Sequence, residues 1–139
     1  MTRRYGIDTS VLIRLITAQP TDSYTYCIEQ LTGLIGTGAE ILASNQVIGE
    51  AYIAVQHHYK VSRDDASQAL LQVLSSGLVA PLNGSAVLEA LTATGGPGLF
   101  DRLISDDYTR AGLEVLTLDR KMAALPNAQY LHALELPGA

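Results

Sequence analysis

The stretch Tyr5-Gly6-Ile7-Asp8-Thr9-Ser10-Val11-Leu12-Ile13-Arg14-Leu15 decides how this chain is read. Tyr5-Gly6-Ile7 predicts a short buried strand. Asp8-Thr9-Ser10 offers a helix N-cap, and Val11, Leu12 and Leu15 line one helical face. A strand that runs straight into a helix is the first half of a crossover unit, which joins parallel strands through helices.

The alternation continues downstream. Thr21 to Leu34 predicts a second helix, with Tyr24, Ile28, Leu31 and Ile35 in register, and Ile41-Leu42-Ala43 a second strand. Ser44 and Asn45 cap a helix that turns Val47, Ala51, Ala54 and Val55 inward. Ser62 opens another, with Ala66, Ala69, Leu70, Val73 and Leu74 as its stripe. Leu78-Val79-Ala80 is short and extended, ending at Pro81, and Ser85 to Ala93 is helical. Pro97 suits the first turn of a helix carrying Phe100, Leu103, Ile104 and Ala111 and stopping near Gly112. Val115-Leu116-Thr117-Leu118 is the clearest strand. A short helix from Asp119 to Leu125 and a strand Ala128-Gln129-Tyr130-Leu131 follow. Short apolar strands alternating with helices predict an α/β fold, its mainly parallel sheet covered on both faces. Ligands in such sheets bind beyond the carboxyl ends of the strands.

The chain has 139 residues, the size of one domain, and no stretch long enough for an interdomain linker. A single domain over 1–139 is expected, with 132–139 as a C-terminal tail. At 47% hydrophobic and 17% charged residues it is too apolar for disorder. Its apolar runs are too short for a membrane span. Charged residues at Asp8 and Arg14 break the first one, so no secretory leader is expected. The single Cys27 excludes an internal disulfide and fits a reducing, cytoplasmic setting; it reads as a small buried apolar residue. The net charge of −5 argues against a nucleic-acid binder with a broad basic surface. Carboxylates gathered on divalent cations are counted with the metal, however, and discounting four of them leaves the chain close to neutral.

Four acids occupy the positions where the sheet rule looks for chemistry. Asp8 follows the first strand and Asp119 the strand at Val115–Leu118. Glu50 lies in the second turn of the helix after strand two, and Asp101 in an early turn of the helix near Pro97. Taken singly, Asp8 reads more readily as a helix N-cap than as a ligand and Glu50 as a solvated helix residue, while Asp101 reads as another first-turn acid and Asp119 as a cap of the helix it opens. Taken together, they would converge on one sheet edge. Their mutual repulsion, only partly offset by helix N-termini worth about 0.3–1 kcal/mol each, calls for a divalent cation. An all-oxygen set selects Mg²⁺ or Mn²⁺. Such an ion activates water and stabilises in-line displacement at phosphorus, which brings a phosphodiester to an acidic protein. Thr9, Ser10 and Thr117 are placed to orient the carboxylates or bound water. Arg14, Arg102 and Arg120, with Lys121, lie near these acids in sequence.

These segments resemble the PIN domains, in particular the VapC-type ribonuclease toxins of toxin–antitoxin pairs. Gly6-Ile7-Asp8-Thr9-Ser10-Val11-Leu12-Ile13-Arg14-Leu15 resembles the family's opening strand, Asp and helix. Asn45-Gln46-Val47-Ile48-Gly49-Glu50 resembles the segment with its Glu, and Phe100-Asp101-Arg102-Leu103-Ile104 that with its third acid. Leu116-Thr117-Leu118-Asp119-Arg120 resembles the fourth, with Thr two residues before Asp. The likeness runs from Tyr5 to Leu131 in order. It implies a three-layer α/β/α sandwich and a Mg²⁺- or Mn²⁺-dependent endoribonuclease. Asp8, Glu50, Asp101 and Asp119 would be the catalytic acids, Asp8, Asp101 and Asp119 of these the metal ligands, and Thr117 a supporting hydroxyl. It also implies a cognate antitoxin, with Arg14, Arg102 and Arg120 as candidate contacts to RNA or antitoxin, and a homodimer. The chain departs from many relatives in having Arg102, not a small residue, after the third acid. Asp106 and Asp107 are omitted because each lies more than about 100° round the helix from Asp101.

The same residues admit other readings. A PIN-like binding or scaffold module without nuclease activity keeps the fold and idles the acids, and a housekeeping nuclease keeps the chemistry without the antitoxin. A phosphotransfer enzyme with Asp8 as nucleophile wants a second Asp two residues on, where Ser10 stands. His57 and His58 are adjacent and so do not share a helix face, which disfavours a metal pair. Gly95-Gly96-Pro97-Gly98 lacks the Lys-Ser/Thr of a phosphate-binding loop.

Overall fold

A computed structural model of the chain describes residues 2–131, and the expected tail at 132–139 lies outside them. The chain divides into two compact units, Met1–Thr92 and Ala93–Ala139. Strand β1 (Arg4–Gly6) opens the first, one residue earlier than the apolar pattern suggests. Asp8 is the N-cap of α1 (Thr9–Thr17), in extended backbone, its side chain accepting the Val11 N–H. Helix α2 (Thr21–Gly36) leads to β2 (Glu40–Ala43). Ser44 and Ser62 cap α3 (Asn45–His58) and α4 (Arg63–Leu74) by accepting the N–H of Val47 and Asp65. Strand β3 (Ala80–Pro81) and α5 (Ser85–Thr92) complete the unit.

The three strands of this unit are parallel in the order β1-β2-β3, with Tyr5 opposite Ile41 and Leu42 opposite Ala80. Along β2, Ile41 and Ala43 are buried while Glu40 is exposed, the period-two alternation of a sheet with one face on the core. Leu12, Ile48, Ala51, Val55, Leu70 and Val87 form that core. Each large one contributes about 1.5–3 kcal/mol of apolar transfer. Helix α1 packs against α2, α3 and α4, and Thr9 in its first turn bonds Glu50 in the second turn of α3. Within α3 the fully buried residues include Ile48, which the expected stripe missed, while Val47 and Ala54 are half-buried. The third strand falls two residues later than expected and contains Pro81. Pro81 is tolerated because β3 is an edge strand, its ladder bonds coming from β2 on one side only.

In the second unit, α6 (Leu99–Arg110) precedes β4 (Val115–Thr117), a 3-10 turn at Met122–Ala124 and β5 (Ala128–Tyr130), which pairs parallel to β4. Pro97 does not occupy the first helical turn: Gly98 is the N-cap, and Pro97 stands before it. Arg102 reaches back to donate to the carbonyls of Pro97 (3.0 Å) and Gly95 (3.2 Å) and so fastens the entering loop. The inward face of α6 is Leu99, Leu103 and Ser105; Phe100 and Ile104, expected inside, are 38% and 37% exposed, and Ala111 is exposed beyond the helix end. Gly112, at φ +78°, provides the left-handed residue that ends the helix. The helix expected over Asp119–Leu125 contracts to the 3-10 turn, because Asp119 Oδ1 takes up the N–H groups of Lys121 (2.8 Å) and Met122 (3.3 Å).

The fold is thus mixed α/β with parallel strands. Among the described residues the strands form two sheets, one in each unit, where one continuous sheet was expected. Cys27 is half-buried, not the buried residue expected. No helix among the described residues is long and apolar enough to cross a membrane.

Candidate functional site

The two candidate acids of the first unit, Asp8 and Glu50, lie beside the start of α1 and in the second turn of α3, and a hydroxyl group serves each. Ser10 Oγ donates to Asp8 Oδ1 at 2.6 Å, and the Val11 N–H bonds the same oxygen at 3.3 Å. The Ser10 bond, followed by that from Val11, holds the Asp8 carboxyl below the ordinary carboxylate range. Thr9 Oγ1 turns the other way and donates to Glu50 Oε2 at 2.6 Å, tying the first residue of α1 to the second turn of α3. Gln46 Nε2 donates to the other oxygen of Glu50, Oε1, at 3.2 Å. The Thr9 bond, then the Gln46 bond, lowers the Glu50 pKa. Asp8 and Glu50 are both exposed and both favour the charged form, the state a cation requires of its ligands.

Asp101 and Asp119 belong to the second unit, and the electrostatics of Asp101 run the opposite way. Asp101, in the first turn of α6, is half-buried. Burial raises its pKa first, and the negative charge of Asp119 adds to the rise; neither cause is a hydrogen bond. A like-charged neighbour in a partly desolvated position is where a counter-cation gains most. Asp119 leaves β4 after one intervening residue, its N–H donating to Thr117 Oγ1 at 2.9 Å and its Oδ1 committed to the turn it opens. Thr117 therefore acts on the backbone that carries Asp119.

Local contacts engage the three arginines. Arg14 donates to the carbonyl of Gln19 in the turn after α1, Arg102 fastens the 95–97 loop, and the Arg120 guanidinium lies 4.7 Å from the centroid of the Tyr130 ring. His57 and His58 occupy the exposed last turn of α3, where a helix C-terminus favours positive charge.

Among the described residues no group of three or more His, Cys, Asp or Glu side chains is placed to hold a metal ion. Hydroxyl donors serve Asp8 and Glu50 in the first unit, Asp101 feels the charge of Asp119 in the second, and none of these groups is a soft donor. Mg²⁺ is commonly held by one or two carboxylates plus water and substrate phosphate, so the donor chemistry fits that ion. The participant missed in the sequence was Gln46. Its signal was its spacing, four residues before Glu50 on one helix, where an amide and a carboxylate meet.

No protein-family model, no curated protein and no solved structure matches the chain.

Proposed function

We propose that this chain is a Mg²⁺- or Mn²⁺-dependent endoribonuclease of the PIN type that hydrolyses RNA phosphodiester bonds, built on its mixed α/β fold with parallel strands. The carrying observation is the Asp101–Asp119 relation: a half-buried carboxyl whose pKa rises with burial and with the charge of a second acid, at a helix start and beyond a strand end. Asp101 and Asp119 would hold the ion. A divalent cation bound there supplies phosphate charge neutralisation and acidifies water.

The chain's own residues do the rest. Ser10 and the Val11 N–H keep Asp8 ionised and aimed. Thr9 and Gln46 keep Glu50 charged, so that it accepts a hydrogen bond from water and orients it. Thr117 secures the backbone of Asp119. The same reading makes the chain the toxin of a type II toxin–antitoxin pair, cytoplasmic and homodimeric, with a cognate antitoxin as its partner.

The test is cleavage of a labelled single-stranded RNA by the purified protein, with Mg²⁺ or Mn²⁺ and with chelator. Cleavage should require the cation and fall about a hundredfold or more in Asp101→Asn. Equal cleavage by Asp101→Asn would overturn the mechanism. Calorimetry that finds no Mn²⁺ binding at millimolar metal would leave a binding module without chemistry.

A further inference from the structure

We infer that Gln46 is a positioning residue for Glu50: with Thr9 it clamps the carboxylate by both oxygens and fixes the plane in which the group meets its target. This role rests on the nuclease reading above. Glu50 is exposed on α3, where a glutamate ordinarily samples many rotamers and does nothing but solvate its helix. Here two elements restrain it. Thr9 reaches from the start of α1 to Oε2, and Gln46, one helical turn earlier on α3, reaches Oε1. One tether would leave the carboxylate free to turn about its last bond, whereas tethers on different oxygens remove that freedom. Only the amide nitrogen of Gln46 can serve a carboxylate oxygen, so its orientation is set as well.

Each carboxylate oxygen has about two acceptor sites. The clamp occupies one on each and leaves one on each for water or substrate. A group so held loses no orientation at the moment of reaction, which is what preorganisation contributes to rate. Gln46 is exposed, so replacing it perturbs no core.

Gln46→Met keeps the length and removes the donor; Gln46→Glu keeps the shape and sets a like charge against Glu50. Steady-state RNA cleavage should show kcat falling roughly three- to tenfold in Gln46→Met with KM within about twofold, and falling further in Gln46→Glu. Unchanged kcat in Gln46→Met, beside a dead Asp101→Asn, overturns the inference and leaves the nuclease reading standing. Wild-type protein that cuts no RNA overturns the nuclease reading and any catalytic part for Gln46. The NMR signals of the Gln46 side-chain amide decide the clamp without reference to activity. They should move in Glu50→Gln, and signals that stay in place would show that the clamp does not exist.

Discussion

Asn127 fastens the loop before β5 to α6, and its loss should be costly. Its Nδ2 donates to the Ser105 carbonyl (3.2 Å) and to Thr109 Oγ1 (2.6 Å), while its Oδ1 accepts from Ser105 Oγ. Ser105 is buried, one of the few polar residues that are. Asn127→Ala deletes all three bonds and leaves the Ser105 hydroxyl short of its partner. At about 0.5–1.5 kcal/mol net per bond, and allowing for sharing within one side chain, the expected loss is about 2–4 kcal/mol. The backbone bond from the Val115 N–H to the Asn127 carbonyl (2.8 Å) survives the substitution. Amide hydrogen exchange on β4 and β5 is the assay, because it reports the local opening that this clamp resists. Exchange there should accelerate by roughly thirtyfold to several hundredfold, at about 1.4 kcal/mol per tenfold. Acceleration of less than about threefold would refute the assignment of the clamp as a stabilising network. Asn127→Asp keeps the acceptor for Ser105 but replaces both donor bonds with a negative oxygen facing an acceptor carbonyl. It should exchange at least as fast as Asn127→Ala at neutral pH.

Three further outcomes follow from the electrostatics and caps. The folded pKa of Asp101 lies above its ordinary value, so the folded state binds the extra proton and stability falls as pH rises from the ordinary carboxylate range through the folded value. Asp101→Asn should therefore melt higher than wild type at neutral pH, with the gain vanishing in acid; a lower melt at neutral pH refutes the sign. Asp8 runs the other way: its stabilisation is present above the ordinary carboxylate pKa and lost as pH falls through the depressed folded value. Ser10→Ala should raise the Asp8 titration midpoint, followed by the carboxyl carbon shift in NMR, and an unmoved midpoint would show that the Ser10 bond is not the main cause. Ser62→Ala should cost about 1 kcal/mol in urea unfolding through loss of the α4 N-cap, and no change in midpoint would discard the cap.

Much of the secondary structure was legible because its signals are local. Asp8, Ser44 and Ser62 are caps recognisable from one side chain and the apolar residues after it, and each accepts the N–H three residues on. Parallel pairing was legible because helices separate the strands. The reading slipped where a side chain bonded nearby backbone or where the apolar period and the buried face disagreed. Pro97 stands before the N-cap of α6, and Phe100 and Ile104 share a helical period with buried positions yet remain exposed. Asp119 drew the following N–H groups to its own oxygen and shortened the expected helix.

Sequence alone determined the element types, the caps and the positions of Asp8, Glu50, Asp101 and Asp119 beside strand ends or helix starts, because propensity, periodicity and capping act over a few residues. Tertiary structure decided which strands pair, dividing them between two sheets, and which donor serves which carboxylate. Thr9 lies next to Asp8 yet bonds Glu50, and burial with a like charge lifts Asp101 while hydrogen bonds lower Asp8 and Glu50. Those choices depend on distances between groups far apart along the chain, and only packing sets such distances.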